Sequence, residues 1–239
     1  MRVRSYRVWG AAGCLLLLLA SMQYALPQVP GKAKDEAERA ESAADVLAAI
    51  VAAPDQGIPL DLLRRCHAIS VIPHLVKAAL GVGGRHGKGL IASRAKSGAL
   101  TAPCYVDLSG GSFGLQLGVS ATDLILVFTD AAGLQGLLSG KVKLGADAGV
   151  AAGPVGRTAE AGTDVKLKSA IYSYSRAKGL FAGISLEGAV LSIDDSANHK
   201  VYGIGVSGTD ILVAHKAAPN AVVKPLVDAL NKHVPKAPK

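Results

Sequence analysis

Cys104-Tyr105-Val106-Asp107-Leu108-Ser109-Gly110-Gly111-Ser112-Phe113-Gly114-Leu115-Gln116-Leu117-Gly118-Val119, followed shortly by Asp123-Leu124-Ile125-Leu126-Val127-Phe128-Thr129, is a succession of apolar, β-branched and aromatic runs bounded by glycine. Runs of this kind read as strands, here Cys104 to Leu108, Phe113 to Val119 and Asp123 to Thr129, joined mainly by tight turns. The same texture begins near Ile69 and recurs at Gly89 to Arg94, Lys141 to Ala151, Ala170 to Tyr174 and Gly183 to Ile193. Glycine fills 28 of 239 positions, roughly 12% against an average of roughly 7%, with no Gly-X-Y period. Such a surplus suits strands that coil sharply.

The flanks differ. Between residues 32 and 53, Ala40, Ala43, Ala44, Leu47 and Ile50 fall at spacings of three and four among charged residues, the pattern of an amphipathic helix ending before Pro54. Pro59 opens a short second helix to about His67. Ala131 to Leu138 predicts a short helix between strands, and Pro219 opens a last helix with Val222, Val223, Leu226, Val227 and Leu230 on one face. The fold class expected is therefore α+β: a glycine-rich antiparallel curved sheet or barrel with N-terminal amphipathic helices and a C-terminal helix. Its parts are residues 26–68 as a helical extension, 69–215 as the β-rich domain and 216–239 as the C-terminal helix and tail.

With 50% hydrophobic and 18% charged residues the chain is no disordered polymer. Six Tyr, three Phe and one Trp are few, so the core rests on Val, Leu, Ile and Ala. The net charge of +8 leaves two readings, an anionic partner or a solvated basic surface. Residues 1–25 carry Arg2, Arg4 and Arg7, then an apolar run from Val8 to Ala20, then small and turn residues, the layout of an export signal. Thirteen apolar residues rise only about 20 Å as a helix, too short to span a bilayer. The expected location is exported, periplasmic or envelope-associated, with an uncleaved N-terminal anchor as the alternative because the cleavage point is poorly marked. Cys14 precedes the leucine run, so lipidation there is disfavoured. Removal of residues 1–25 leaves 23 basic against 18 acidic residues, or +5. Cys66 and Cys104 could form one disulfide in an oxidising compartment or remain two buried thiols.

Chemistry-bearing motifs fail one by one. Around Gly81 to Gly89 the phosphate-loop pattern has Val82 and Gly89 where it needs glycine and Ser or Thr. Gly203-Ile204-Gly205-Val206-Ser207-Gly208 spells a dinucleotide fingerprint, but Thr209 to Val213 after it reads as a strand, so a bulged hairpin is expected. Gly183-Ile184-Ser185-Leu186-Glu187 ends in Glu where a nucleophile elbow needs Gly. The six histidines have no metal spacing. Asp194-Asp195, near Ser196 and Asn198, reads as turn chemistry. No enzyme, cofactor or metal is indicated, and nucleic-acid binding lacks stacking aromatics beyond Tyr172 and Tyr174.

The order of short strings carries more. Gly87-x-Gly89-Leu90-Ile91-Ala92-Ser93-Arg94, Ala102-Pro103, Gly110 to Gly118, Thr122-Asp123, Ala152 to Arg157, Ser173 to Gly183, Leu186-Glu187-Gly188, and Asn198 with Tyr202-Gly203 together resemble the SYLF domain family over about 145 residues. One departure is Leu100-Thr101, where that family often has Trp-Ser. The resemblance implies binding rather than catalysis: eukaryotic members bind phosphoinositide membranes, and yeast members also bind and bundle actin. For an exported bacterial-type member it implies a non-catalytic module on anionic phospholipid of the cell envelope, with no actin expected. An envelope protein-protein scaffold is the alternative, and an unrecognised hydrolase a more distant one. The implied amphipathic helix near 32–53 is alanine-rich, nearly charge-balanced and without Trp or Phe, which makes it a poor membrane inserter.

Residues 141–178 hold seven Lys or Arg and three Asp or Glu. Lys166 and Lys168 share strand parity with Tyr172 and Tyr174, Arg176 and Lys178 continue it, and Arg157 lies upstream. These five are the expected headgroup-binding residues. A solvated strand face is the competing account.

Overall fold

The computed structural model of the chain describes residues 33–53, 57–154, 169–181 and 184–237, with the side chains of 80–82 and 112–117 left aside. Two strands dominate it. β1 (Ala68–Ser93) and β2 (Cys104–Phe128) have 26 and 25 residues and pair antiparallel from Ala68↔Phe128 to Ile91↔Cys104. Strands far longer than the usual five or six residues must bend. Register shifts between Ile72 and Leu75 and between Ala79 and Gly81 supply extra residues that let them.

The bend carries the start of β1 across its own end. Ser70 Oγ donates to Leu90 O at 3.1 Å. A Cβ added at Gly89 would lie 2.3 Å from Val71 O, and one at Gly87 would lie 2.8 Å from Ile72 Cγ2. The two glycines of the Gly-x-Gly-Leu-Ile-Ala-Ser-Arg string therefore mark a point where one stretch of backbone rests on another. Arg94, the last residue of that string, ties the hairpin turn to the segment Leu63–Cys66 before β1 and to Pro235 near the C-terminus. Its guanidinium donates to Leu63 O (2.6 Å), Cys66 O (2.9 Å), Gly98 O (2.7 Å) and Pro235 O (3.2 Å).

Shorter elements complete the sheet: β3 (Lys141–Lys143), β4 (Val150–Ala152), β5 (Ile171–Ala177), β6 (Leu180–Phe181) and β7 (Val190–Ile193). Their order is β3-β7-β2-β5-β4, with β1 also on β2 and β6 on β5. The result is a strongly curled open sheet, a half-barrel, with helices from both ends of the chain. One pair, β4 with β5, is parallel and departs from the antiparallel expectation.

Helices cover both faces, which is why β2 reads as an unbroken apolar run at Leu124–Phe128. Ile125 and Val127 face a core built with α1 (Lys34–Val51), α2 (Leu60–Arg65) and α6 (Lys224–His233), through Ala43, Leu47, Ile50, Leu63, Leu226 and Leu230. Leu124, Leu126 and Phe128 face the other core, with Leu137 of α3 (Ala131–Leu138), Leu191, and Ile211 of α5 (Gly208–Leu212).

Several local expectations change. The separate runs expected between Cys104 and Thr129 are one strand, Cys104–Phe128, because pairing with β1 continues through Ser109, Gly110 and Gly111. Lys141 to Ala151 splits around a turn at Gly145, whose φ of +87° ends β3. Of the run expected from Gly183 to Ile193, Gly183 lies outside the described residues, and among residues 184–193 the strand is Val190–Ile193, after a turn at Gly188 with φ +76°. Asp194 caps a helix, α4 (Asp195–Tyr202), by accepting from Ala197 N. Thr209 to Val213 is helical rather than extended, because Ser207 and Asp210 form a capping box that outweighs the β-branched composition. Cys66 and Cys104 are both buried and unpaired.

Candidate functional site

The β2–β5 register sets Asp123 opposite Arg176. Two residues later the chain reverses between Ala177 and Leu180 through Lys178 and Gly179, with φ +48° and +83°. Both central residues left-handed is the signature of a type I′ hairpin turn, and lysine is an unusual occupant of its first position. Facing this turn is the β1 bulge, where Pro73 precedes His74 at φ +50°. The His74 amide donates to Asp123 Oδ1 at 3.1 Å, which holds the bulge open. Ser42, Asp45, Val46 and Ala49 of α1, one face of that helix, close the third side.

These residues line an open surface cleft of about 500 Å³. Among the described residues three non-glycine positions have left-handed backbone, and two of them, His74 and Lys178, line it; strain of that kind is retained where a site demands a particular shape. Arg176 is half-buried and Lys178 exposed. Among the described residues neither makes an ion pair, and neither do Asp45 or Asp123. The cleft thus presents two cations and two carboxylates whose charges are not spent on one another.

A second polar concentration lies between α1 and α4 and is used internally. Arg39 bonds Asp194 at 3.0 Å and lies 5.2 Å from the Tyr105 ring centroid. Lys200 reaches Glu36 Oε1 at 2.8 Å, and Tyr105 donates its hydroxyl to Glu36 O at 2.9 Å. Burial alone would raise the Asp194 carboxyl, but the Ala197 amide and the Arg39 guanidinium outweigh it and hold the group below its ordinary range. Asp107 shifts the other way, raised first by burial and then by Asp194, with Lys88 opposing. Fully buried Asn198 accepts from Tyr105 N at 2.8 Å and donates to Tyr105 O at 3.2 Å, extending the edge of β2 as a strand would. These groups clamp α1 onto the sheet. The apolar face of α1 is accordingly filled by the core and is no free membrane-inserting surface.

Of the five residues expected to bind headgroups, Arg157, Lys166 and Lys168 lie outside the described residues. Arg176 and Lys178 meet at the cleft, although Lys178 sits in the turn and not on the strand. Their shared parity is not a solvated face: Tyr172 and Tyr174 on it are 7% and 2% exposed under α1. The cleft begins where that cover ends. His74, Asp123, Ser42 and Asp45 were not among the expected site residues. The Pro-His break in an apolar run and the Thr122-Asp123 string were the available signals, whereas the α1 residues arrive from elsewhere in the chain.

The Gly203–Gly208 fingerprint precedes a helix after all, but one of five residues whose N-terminus is filled by its own Asp210 carboxylate. Asp210 also pairs with Lys216 at 2.7 Å, and helix α4 precedes the glycines where a strand is required. No group of three metal-ligating side chains occurs among the described residues.

The family model described as Las17-binding protein actin regulator, Ysc84, matches residues 109–233, more than half of the chain. The chain belongs to the Ysc84 (SYLF) family. LAS seventeen-binding protein 3 of Saccharomyces cerevisiae is 33% identical over 202 residues, 81% of this chain and 43% of that protein. Protein YSC84 of the same yeast is 35% identical over 170 residues, 70% and 36% of the two chains. SH3 domain-containing YSC84-like protein 1 of Rattus norvegicus is 29% identical over 211 residues, 87% and 62%. The chain therefore spans less than half the length of these yeast relatives. One of the three is named for binding, one for an SH3 domain, and none carries the name of an enzyme. The expectation that actin has no place here is corrected by the family model, described as an actin regulator, and by relatives named for Las17 binding.

Proposed function

We propose that this chain is a non-catalytic binding module that engages phospholipid headgroups at a membrane surface, with Arg176 and Lys178 holding the lipid phosphate. The observation that carries this reading is the cleft itself. It has a volume within the range of small-ligand sites, is shaped by two left-handed residues, and is lined by two cations that have no ion-pair partner among the described residues. Arginine supplies a planar fork matched to phosphate oxygens and lysine a mobile point charge. The surplus of basic residues adds long-range attraction to anionic lipid of about 1 kcal/mol per basic residue near the surface, fading beyond a Debye length. Flotation with vesicles containing phosphatidylglycerol tests it. Arg176→Glu with Lys178→Glu should reduce the floated fraction severalfold at low salt and less at high salt. Equal flotation of the folded double variant at every salt concentration refutes the assignment.

From the export layout of residues 1–25 we propose that this surface works in the cell envelope. Protease added to intact spheroplasts tests this: the full chain should be digested and residues 26–239 protected, and protection of both, or digestion of both, would contradict it. A second reading is favoured by the relatives' names: a module that binds actin or an actin regulator. Co-sedimentation with actin filaments measures it directly.

A further inference from the structure

The cleft carries a feature that a site for a simple anion would not. Asp45 of α1 and Asp123 of β2 line the same 500 Å³ as Arg176, Lys178 and His74. A carboxylate beside a cation weakens that cation's attraction for phosphate, so a pocket selected for anionic headgroups alone gains nothing from either acid. Mutual neutralisation would be the ordinary explanation, yet no ion pair within 4.0 Å joins the acids to the cations among the described residues. Asp123 has a structural duty, since its Oδ1 accepts the His74 amide. Asp45 has none: it is exposed, stands on the face of α1 turned to the cleft with Ser42 and Ala49, and makes neither a hydrogen bond nor an ion pair among the described residues. The two signs also come from different walls. The cations stand on β5 and its turn to β6, and the unengaged carboxylate stands on the helix that closes the opposite side.

We propose that the cleft recognises a zwitterionic headgroup, a phosphodiester bearing a primary ammonium as in glycerophosphoethanolamine, with the phosphate on Arg176 and Lys178 and the ammonium on Asp45. This rests on reading the cleft as a headgroup site and names the class of headgroup. A ligand carrying both charges satisfies both walls, whereas a purely anionic one leaves Asp45 facing it unpaired and repulsive. Discrimination then comes from one repelling carboxylate as much as from the attractive contacts.

The test uses soluble headgroups, so that it is separate from membrane association. Titration of the full chain, followed by calorimetry or amide chemical shifts, compares glycerophosphoethanolamine with glycerophosphoglycerol, which has the same phosphodiester and no ammonium. The expected result is at least tenfold tighter binding of the ethanolamine compound. Asp45→Asn should abolish that preference while leaving glycerophosphoglycerol bound as well as before or better. Arg176→Gln should weaken both, and Lys178→Gln, at an exposed turn, gives the same comparison if the half-buried arginine proves necessary for folding. Equal affinity of the wild type for the two compounds, tighter binding of glycerophosphoglycerol, or a preference unchanged in Asp45→Asn overturns the proposal. Phosphatidylethanolamine and phosphatidylglycerol vesicles form a second arm that separates lipid from free headgroup. Vesicle binding without ethanolamine preference sinks this inference and spares the phospholipid reading, and soluble selectivity without vesicle binding does the reverse.

Discussion

Gly89→Ala puts one methyl group where β1 crosses itself. The glycine has no positive φ, so the substitution is a matter of space alone. The new Cβ would start 2.3 Å from Val71 O, 2.7 Å from Ile72 Cγ1 and 2.9 Å from Ile72 Cα. An ordinary contact lies about 1 Å beyond the first of these, and two of the three atoms are backbone, which cannot swing aside as a side-chain terminus can. The crossing must open, lengthening the Ser70 Oγ to Leu90 O bond and loosening Ile69, Val71 and Leu90 in the core under α1. Overpacking of a dense core costs about 1–3 kcal/mol, and with a buried hydrogen bond of about 1 kcal/mol also weakened the expected loss is about 3 kcal/mol. At about 2–4 °C per kcal/mol for a chain of this size, Tm should fall by about 6–12 °C. The control is Gly111→Ala, in the partner strand with nothing within 4 Å of an added Cβ. That change should be neutral or stabilising by up to about 0.5 kcal/mol through the unfolded state. Thermal denaturation followed by circular dichroism measures both. A Gly89→Ala protein melting within 2 °C of wild type would show that the self-crossing is looser than these distances.

Three further outcomes are expected. Arg39→Ala strands the Asp194 carboxylate, whose side chain is 10% exposed, at a cost of about 3–5 kcal/mol. Asp194 is held below its ordinary value of about 3.8, so the ion pair's stabilisation is present above that value and lost as pH falls through the lower folded one. The gap in Tm between wild type and Arg39→Ala should therefore be widest above about pH 5 and narrow in acid, and a gap independent of pH would remove Asp194 from the account. Asn198→Ala leaves the buried Tyr105 amide without its acceptor, while the Tyr105 carbonyl keeps the Asp194 amide at 2.9 Å, and urea denaturation should show a loss of about 1–3 kcal/mol, as for one unsatisfied buried backbone donor. Both thiols should resist alkylation in the folded protein, because burial raises each and pushes Cys104 up to about 12. Labelling at the rate of a free thiol peptide would contradict the burial.

Sequence texture located the sheet and the helices at both ends because periodicity is local: the α1 spacing and the apolar runs of β2 need no knowledge of their neighbours. It failed where a few polar side chains outweighed composition. Ser207 with Asp210, and Asp194 with Ala197, start helices in segments whose residues look extended or turn-forming. It also could not tell a glycine that bends a strand from one that ends it, since Gly110 continues β2 while Gly179 and Gly188 reverse the chain. Half of the cleft was legible, as the basic residues Arg176 and Lys178. The acidic half was not, because Asp45 and Asp123 are 78 positions apart and meet only through the packing of α1 on the curled hairpin.

The five residues from Val71 to Leu75 connect that packing to the cleft. Val71, Ile72 and Leu75 press on Gly87 and Gly89, while His74 between them turns outward to line the cleft, anchored by Asp123. One bulge therefore serves both purposes. Ile72 and Leu75 cannot both reach the crossing unless the intervening Pro73-His74 is looped out, and the looping gives the cleft its wall. Disturbance at Gly87 or Gly89 should then shift the cleft residues as well as the core, so that headgroup affinity and stability fall together. Changes at Asp45 or Lys178, which touch only the cleft side, should alter headgroup binding at constant stability. The same segment explains why both glycines stand in the string that carries the family resemblance: they are fixed by the crossing, and the crossing is what holds the bulge in place.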